Sequence, residues 1–165
     1  MDNINPIYDL DRQLERSVEW VKFAEAKNAV AVGLIGAAFI EACRPCVLES
    51  VCGIVLIISL AIQLALLICS FIPRFSSPLC FKHNKDELNF HYYGDISCVS
   101  LDEYRTKLKK AYSDLEENSK YFKDVTHQIH INCEIAMAKF NFFKWVCFLM
   151  VVSGIAFILR SLFGL

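Results

Sequence analysis

The chain has 165 residues, 55% of them hydrophobic and 21% charged, with a formal net charge of −1. That length is one domain's worth, and the near-neutral balance argues against a general polyanion binder. A mean hydropathy of +0.38 alongside so many charges requires the apolar residues to be bunched, unlike those of an evenly patterned soluble domain.

The first element follows from "DLDRQLERSVEWVKFAEAKNAV". Leu10, Leu14, Ser17, Val18, Val21 and Ala24 recur at three- and four-residue steps, the spacing of an amphipathic helix. Asp9 or Asp11 is placed to cap its start. No breaker separates it from "NAVAVGLIGAAFIEA" (Asn28 to Ala42), so residues 9–42 are predicted as one helix entering the membrane as a first span. Such a helix reaches about 50 Å. The uncharged part, residues 28–40, is short enough to suit a core helix equally well. It is not a cleavable signal peptide, because a polar stretch precedes it and no basic region abuts it. Ala29, Gly33, Gly36 and Ala37 give this span the small-xxx-small spacing that lets helix backbones approach closely in lipid. Two readings stay open for them: packing within one chain, or an oligomer ringing an aqueous path with Glu25, Lys27 and Glu41 near its mouths.

The link "CRPC" (Cys43 to Cys46) has neither a partner pair for zinc nor a βαβ context for redox work. It reads as a tight corner in which Pro45 stops the helix. The second span, residues 47–73, contains "VCGIVLIISLAIQLALLICSFIP", free of charge from Val51 to Pro73. As a helix this covers about 33 Å, the thickness of a bilayer's hydrocarbon core. Gln63 stands alone in its middle.

Residues 74–141 are polar and mixed. After a loop, "HYYGDIS" (His91 to Ser97) reads as a short strand or turn, with Gly94 supplying backbone freedom and Asp95 capping or pairing. Its tyrosines then pack against the long helices or stack on a ligand. "SLDEYRTKLKKAYSDLEEN" is a short helix opened by a capping box, Ser100 with Glu103. From Phe122 a stripe continues through Val125, Ile129, Cys133 (or Asn132), Ala136, Phe140 and Phe143 into the third span, residues 142–165. Lys144, Trp145 and Arg160 take interfacial positions there. The fold class expected is thus an all-α membrane protein with three transmembrane helices. Two of these continue into a cytoplasmic helical stalk, and one short strand or turn element accompanies them.

Lys and Arg set an orientation. Four lie in residues 1–27, one in the link, eleven in 74–144 and one near the end. The positive-inside rule then places the N-terminus and the middle region in the cytoplasm. Eight cysteines do not form a disulfide framework, since several fall in apolar spans and others in a reducing compartment.

No nucleophile elbow, phosphate-binding loop or zincin motif occurs, so an enzyme is not expected and no cofactor is implied. The nearest approach is His127, His130 and Glu134 on one helix face, which suits either a metal or a polar interface stripe. A ligand site is conceivable from Arg12, Arg16 and Lys22 with Arg105, Lys107, Lys109 and Lys110. Tyr92, Tyr93, Tyr104 and Trp20 supply rings able to stack on bases. Equal numbers of acids on the same helices favour solvated faces instead.

Three stretches together resemble the Pycsar-effector transmembrane family. A W-(I/V)-x-x-A-(D/E)-x-K pattern falls on Trp20, Val21, Ala24, Glu25 and Lys27. An F-(F/Y)-G-D-I pattern falls on Tyr92, Tyr93, Gly94, Asp95 and Ile96. A Q-I-H-x-N-x-x-I-A-x-x-K-(F/Y) pattern falls on Gln128, Ile129, His130, Asn132, Ile135, Ala136, Lys139 and Phe140. Departures are Glu25 for the commoner Asp and His91 at a usually apolar position. The resemblance implies a small bacterial anti-phage effector that depolarises or permeabilises the inner membrane. It also implies a nucleotide second messenger or oligonucleotide made by a partner nucleotidyltransferase or cyclase, and a homo-oligomer is expected from the small-residue face of the first span. With no appended nucleotide-binding or TIR domain, sensing is expected to use these 165 residues. The rival reading is a non-conducting anchor whose cytoplasmic helices recruit a partner.

Overall fold

A computed structural model describes residues 6–44, 50–72, 88–112 and 119–163. Five helices account for most of them: α1 (Pro6–Ala42), α2 (Val51–Phe71), α3 (Tyr93–Ser97), α4 (Leu101–Ala111) and α5 (Lys120–Phe163). No strand occurs among the described residues. Pro45 and Cys46 of the link, and the loop over 73–87, lie outside them.

Local chemistry explains several of the boundaries. Pro6 opens α1, where its missing N–H costs nothing, and Asp9 lies in the first turn against the helix dipole. Ser50 caps α2 by accepting the Gly53 N–H at 3.0 Å. The chain leaves α2 at Ile72, which is extended as a residue before proline must be. Ser100 caps α4 by accepting the Glu103 N–H at 3.2 Å, the expected half of a capping box. Ser119 receives the Phe122 N–H at 3.1 Å and starts α5.

"HYYGDIS" is not a strand. Only Tyr92 is extended (φ −127°, ψ 118°), and it acts as the N-cap of the single-turn α3. The Ile96 N–H donates to the Tyr92 carbonyl at 3.3 Å, closing that turn. With no strand among the described residues to pair with, the backbone satisfies itself locally.

The chain divides into two compact units: residues 1–24 with 74–138, and 25–73 with 139–165. In the first, Leu10 of α1, Ile96 of α3, Tyr104 and Leu108 of α4, and Phe122 and Ile129 of α5 form one core. In the second, Ala31 and Ile35 of α1, Leu56, Leu60 and Leu67 of α2, and Val146 of α5 form another.

The second unit inverts the usual polarity of a folded domain. Val30, Leu34, Ile58, Ile62, Phe148 and Ile155 are exposed, while Asn28, Ser59, Gln63, Ser70, Lys139 and Ser153 are buried. An exterior of this kind needs an apolar solvent, since in water its burial would release about 25 cal/mol per Å². Three helices have the length and apolarity to cross a bilayer, the build of a multi-pass membrane protein. At 37 and 44 residues, α1 and α5 reach about 55 and 66 Å, so only part of each can lie in a hydrocarbon core about 30 Å thick.

Candidate functional site

The membrane unit carries a seam of polar groups on its inner helix faces. Ser59, Gln63 and Ser70 stand at helical intervals along the buried side of α2. Gln63 Nε2 donates to Ser153 Oγ of α5 at 2.8 Å and to Ser59 Oγ at 3.3 Å. Ser153 Oγ and Ser59 Oγ lie 2.9 Å apart, closing the triangle. Toward the other end of α2, Asn28 Nδ2 donates to Ser70 Oγ at 3.0 Å, and the Ser70 hydroxyl donates to the Leu67 carbonyl at 2.6 Å.

Beside this pair, Lys139 Nζ donates to the Ser70 carbonyl at 3.0 Å and lies 3.2 Å from Glu25 Oε1. The Phe71 ring sits 5.7 Å from the same ammonium. One lysine therefore links α1, α2 and α5 where α2 ends and its last carbonyls lack helical partners. Lys27 faces the rings of Phe143 (3.9 Å) and Phe140 (5.1 Å), a cation–π arrangement.

Ala29, Gly33 and Ala37 are exposed and Gly36 is half-buried. A Cβ added at Gly33 or Gly36 would meet nothing within 4 Å. The small-residue face is thus turned away from the chain's own core, which α1 meets through Asn28, Ala31 and Ile35 instead.

In the first unit, α1, α3 and the turn before it build an aromatic and basic corner. Trp20 meets Tyr93 edge-on at 5.5 Å, and Tyr93 meets Tyr92 at 4.9 Å. Arg16 Nη1 lies 2.7 Å from His91 Nδ1. Burial, helped by neighbouring Tyr92, pushes the Tyr93 phenol up to about 12. Gly94 has ordinary helical geometry within α3. What it supplies is space, because a Cβ would stand 2.5 Å from Tyr92 Cε1 and 2.8 Å from Cζ. Asp95 closes the turn by accepting the Asn89 N–H at 3.2 Å.

A second network sits behind this corner. Asp9 accepts from Tyr112 and from Gln13 (3.1 Å), and Gln13 accepts from buried Tyr104 (3.2 Å). Burial pushes the Asp9 carboxyl up. The hydrogen bonds from Tyr112 and Gln13, with the charges of His91 and Arg16, outweigh it and bring the net shift down. The Tyr112 phenol rises to about 12 through burial and its bond to Asp9.

The remaining candidates separate. Arg105 is held by Thr126 Oγ1 (3.0 Å) and the Lys123 carbonyl (2.8 Å), and Lys107 pairs with Glu103 at 3.0 Å. Arg12 lies over Tyr8, and Lys22, Lys109 and Lys110 are exposed. His127 is exposed while His130 is buried. His130 Nε2 meets the Val99 carbonyl at 2.9 Å, and Glu134 lies 3.8 Å from its Nδ1. No three His, Cys, Asp or Glu residues converge as a metal site among the described residues. Gln128 donates to Asn132 (3.0 Å), which donates to Ser17 (3.0 Å).

The residues of the three sequence patterns therefore find one another: Trp20 with Tyr93, Glu25 with Lys139, Lys27 with Phe140. The model of the Pycsar effector protein domain matches residues 9–164. The chain belongs to the Pycsar effector family. No match to this effector was found among curated proteins or among solved structures. Sequence reasoning singled out Gln63 in the seam but missed Asn28, Ser59, Ser70 and Ser153. The signal was present, since Ser59, Gln63 and Ser70 lie four and seven residues apart in an otherwise apolar run.

Proposed function

We propose that this Pycsar effector is a homo-oligomeric, nucleotide-controlled permeability pathway of the bacterial inner membrane, acting in anti-phage defence. The inverted polarity of the membrane unit carries the reading: a buried row of amides, hydroxyls and a lysine lies inside an apolar exterior. Polar side chains are expensive at membrane depth and mark paths for ions or protons more often than plain anchors. The outward Ala29–Gly33–Ala37 face, unobstructed at both glycines, suits contact between copies.

The N-terminus and the middle region are on the cytoplasmic side in this reading, following the Lys and Arg distribution. The nucleotide is made by a partner nucleotidyltransferase or cyclase and is sensed at the aromatic corner. There Arg16 provides charge, and half-exposed Tyr92 (45%) with Tyr93 and Trp20 provides stacking surfaces. The effector performs no chemistry of its own.

The test is ion flux through liposomes holding the purified chain, with and without cyclic mononucleotides and short oligonucleotides. One nucleotide should change flux, and Tyr92→Ala should remove that response. Flux insensitive to all of them would move sensing to a protein partner. No flux under any condition would replace the pathway with a membrane anchor that recruits one.

A further inference from the structure

Two buried side-chain oxygens of the described residues accept no hydrogen bond, Gln63 Oε1 and Asn28 Oδ1. Their side chains are 0% and 1% exposed. Turning either amide over would exchange an unpaired oxygen for an unpaired N–H, so the unpaired polar atom does not depend on how the amide is oriented. The lipid outside the unit can supply no partner for them.

The two oxygens occupy different levels of the membrane unit. Asn28 shares its level with Ser70 and Lys139, and Gln63 shares its own with Ser59 and Ser153. Gln63 and Ser70 are seven residues apart on α2, a rise of about 10 Å. What separates them is apolar. Leu67 lies between them on α2 and is 0% exposed. Val146, also 0% exposed, lies midway between Lys139 and Ser153 on α5, and buried Ala31 lies one turn beyond Asn28 on α1. All three belong to one core cluster.

We propose that the interior of each protomer's three-helix unit is a proton route. The Gln63 and Asn28 oxygens are its water-binding stations, and the Leu67, Val146 and Ala31 layer is its gate. This rests on the permeability reading above and locates the path within the protomer, not on an axis between copies. A bound water needs two to four polar partners, and the Gln63 level offers Gln63 Oε1 with two serine hydroxyls. The amide and two hydroxyls of the Gln63 level can pass protons along hydrogen-bonded water, but they fall far short of the rings of carbonyl oxygens that replace the hydration shell of an alkali ion. An apolar layer interrupts such a chain of water by dewetting. Displacing the Leu67 side chain would join the two polar levels.

The experiment uses the full chain in liposomes loaded with a pH-sensitive dye and calcein. Leu67→Asn and Val146→Asn should each raise proton leak above wild type by wetting the hydrophobic constriction, with calcein retained. Adding Gln63→Leu to Leu67→Asn should return the leak to the wild-type level. Helical circular dichroism and size exclusion check assembly, and Leu67→Ser replaces an asparagine variant that fails to assemble. Proton leak unchanged in every layer variant overturns the proposal, as does leak that survives Gln63→Leu or is accompanied by calcein. If wild type conducts while layer variants behave like it, the permeability reading stands and only this route is wrong. Silence from wild type and every variant overturns both.

Discussion

Gly94→Ala isolates the reason the aromatic corner needs a glycine. Ala in a helix is favoured over Gly by about 0.5–1 kcal/mol, so the substitution in α3 would ordinarily be neutral or stabilising. Here the new Cβ would stand 2.5 Å from Tyr92 Cε1, 2.8 Å from Cζ and 3.0 Å from the hydroxyl. Those separations are too short for any packed carbon, so the ring must leave. Tyr92 is 45% exposed and has solvent to swing into, which limits the cost to its contacts. Losing the ring pair with Tyr93 costs about 0.5–1.5 kcal/mol. Gly94→Ala alone should therefore change stability little, the two effects nearly offsetting. In a Tyr92→Ala background the clash is absent, and Gly94→Ala should stabilise by about 0.5–1 kcal/mol. The cycle should show a coupling of about 0.5–1.5 kcal/mol between the positions. Thermal unfolding in detergent, followed by Trp20 fluorescence beside Tyr93, measures all four variants. An equal effect of Gly94→Ala in both backgrounds would refute the steric argument.

Lys139→Met should lower detergent stability by about 1–3 kcal/mol, because it removes a charge-assisted hydrogen bond to the Ser70 carbonyl. Glu25→Gln should cost less than about 1 kcal/mol, since Glu25 is half exposed; equal losses in thermal unfolding would contradict this ranking. Asp9 has a folded pKa below its unfolded value, so its stabilising contribution is complete above the unfolded pKa and disappears as pH falls through the folded one. Unfolding between pH 6 and 3, bracketing a free Asp near about 3.9, should flatten in Asp9→Asn; identical pH slopes would remove Asp9 from the account. Cys133 is fully enclosed and burial pushes its thiol up to about 12. It should resist alkylation at neutral pH and react only on unfolding, as peptide mapping by mass spectrometry would show.

The sequence by itself determined the fold class. An uncharged run from Val51 to Pro73 and a second from Trp145 to Leu159 leave little alternative to spanning helices, because length and apolarity are one-dimensional properties. Capping was equally legible, since Ser100 and Glu103 are local in the chain and meet as their spacing dictates. The stripe through Phe122, Val125, Ile129, Cys133 and Ala136 is buried throughout. Of the two readings of "HYYGDIS", the turn holds and the strand does not, because β-prone tyrosines are a weak prior. Without a partner strand among the described residues, the helical turn after Tyr92 satisfies its backbone.

Only the tertiary structure decided which polar residues meet. The residues of the bonds from Gln63 to Ser153 and Asn28 to Ser70 are 90 and 42 positions apart, and no periodicity within one helix fixes the rotation of another. The same limit applied to the small-residue face. Its spacing was plain in the sequence, but whether Gly33 and Gly36 pack inward depends on which side of α1 its neighbours occupy. They occupy the side of Asn28, Ala31 and Ile35, because burying Asn28 against Ser70 pairs a group that lipid would leave unsatisfied.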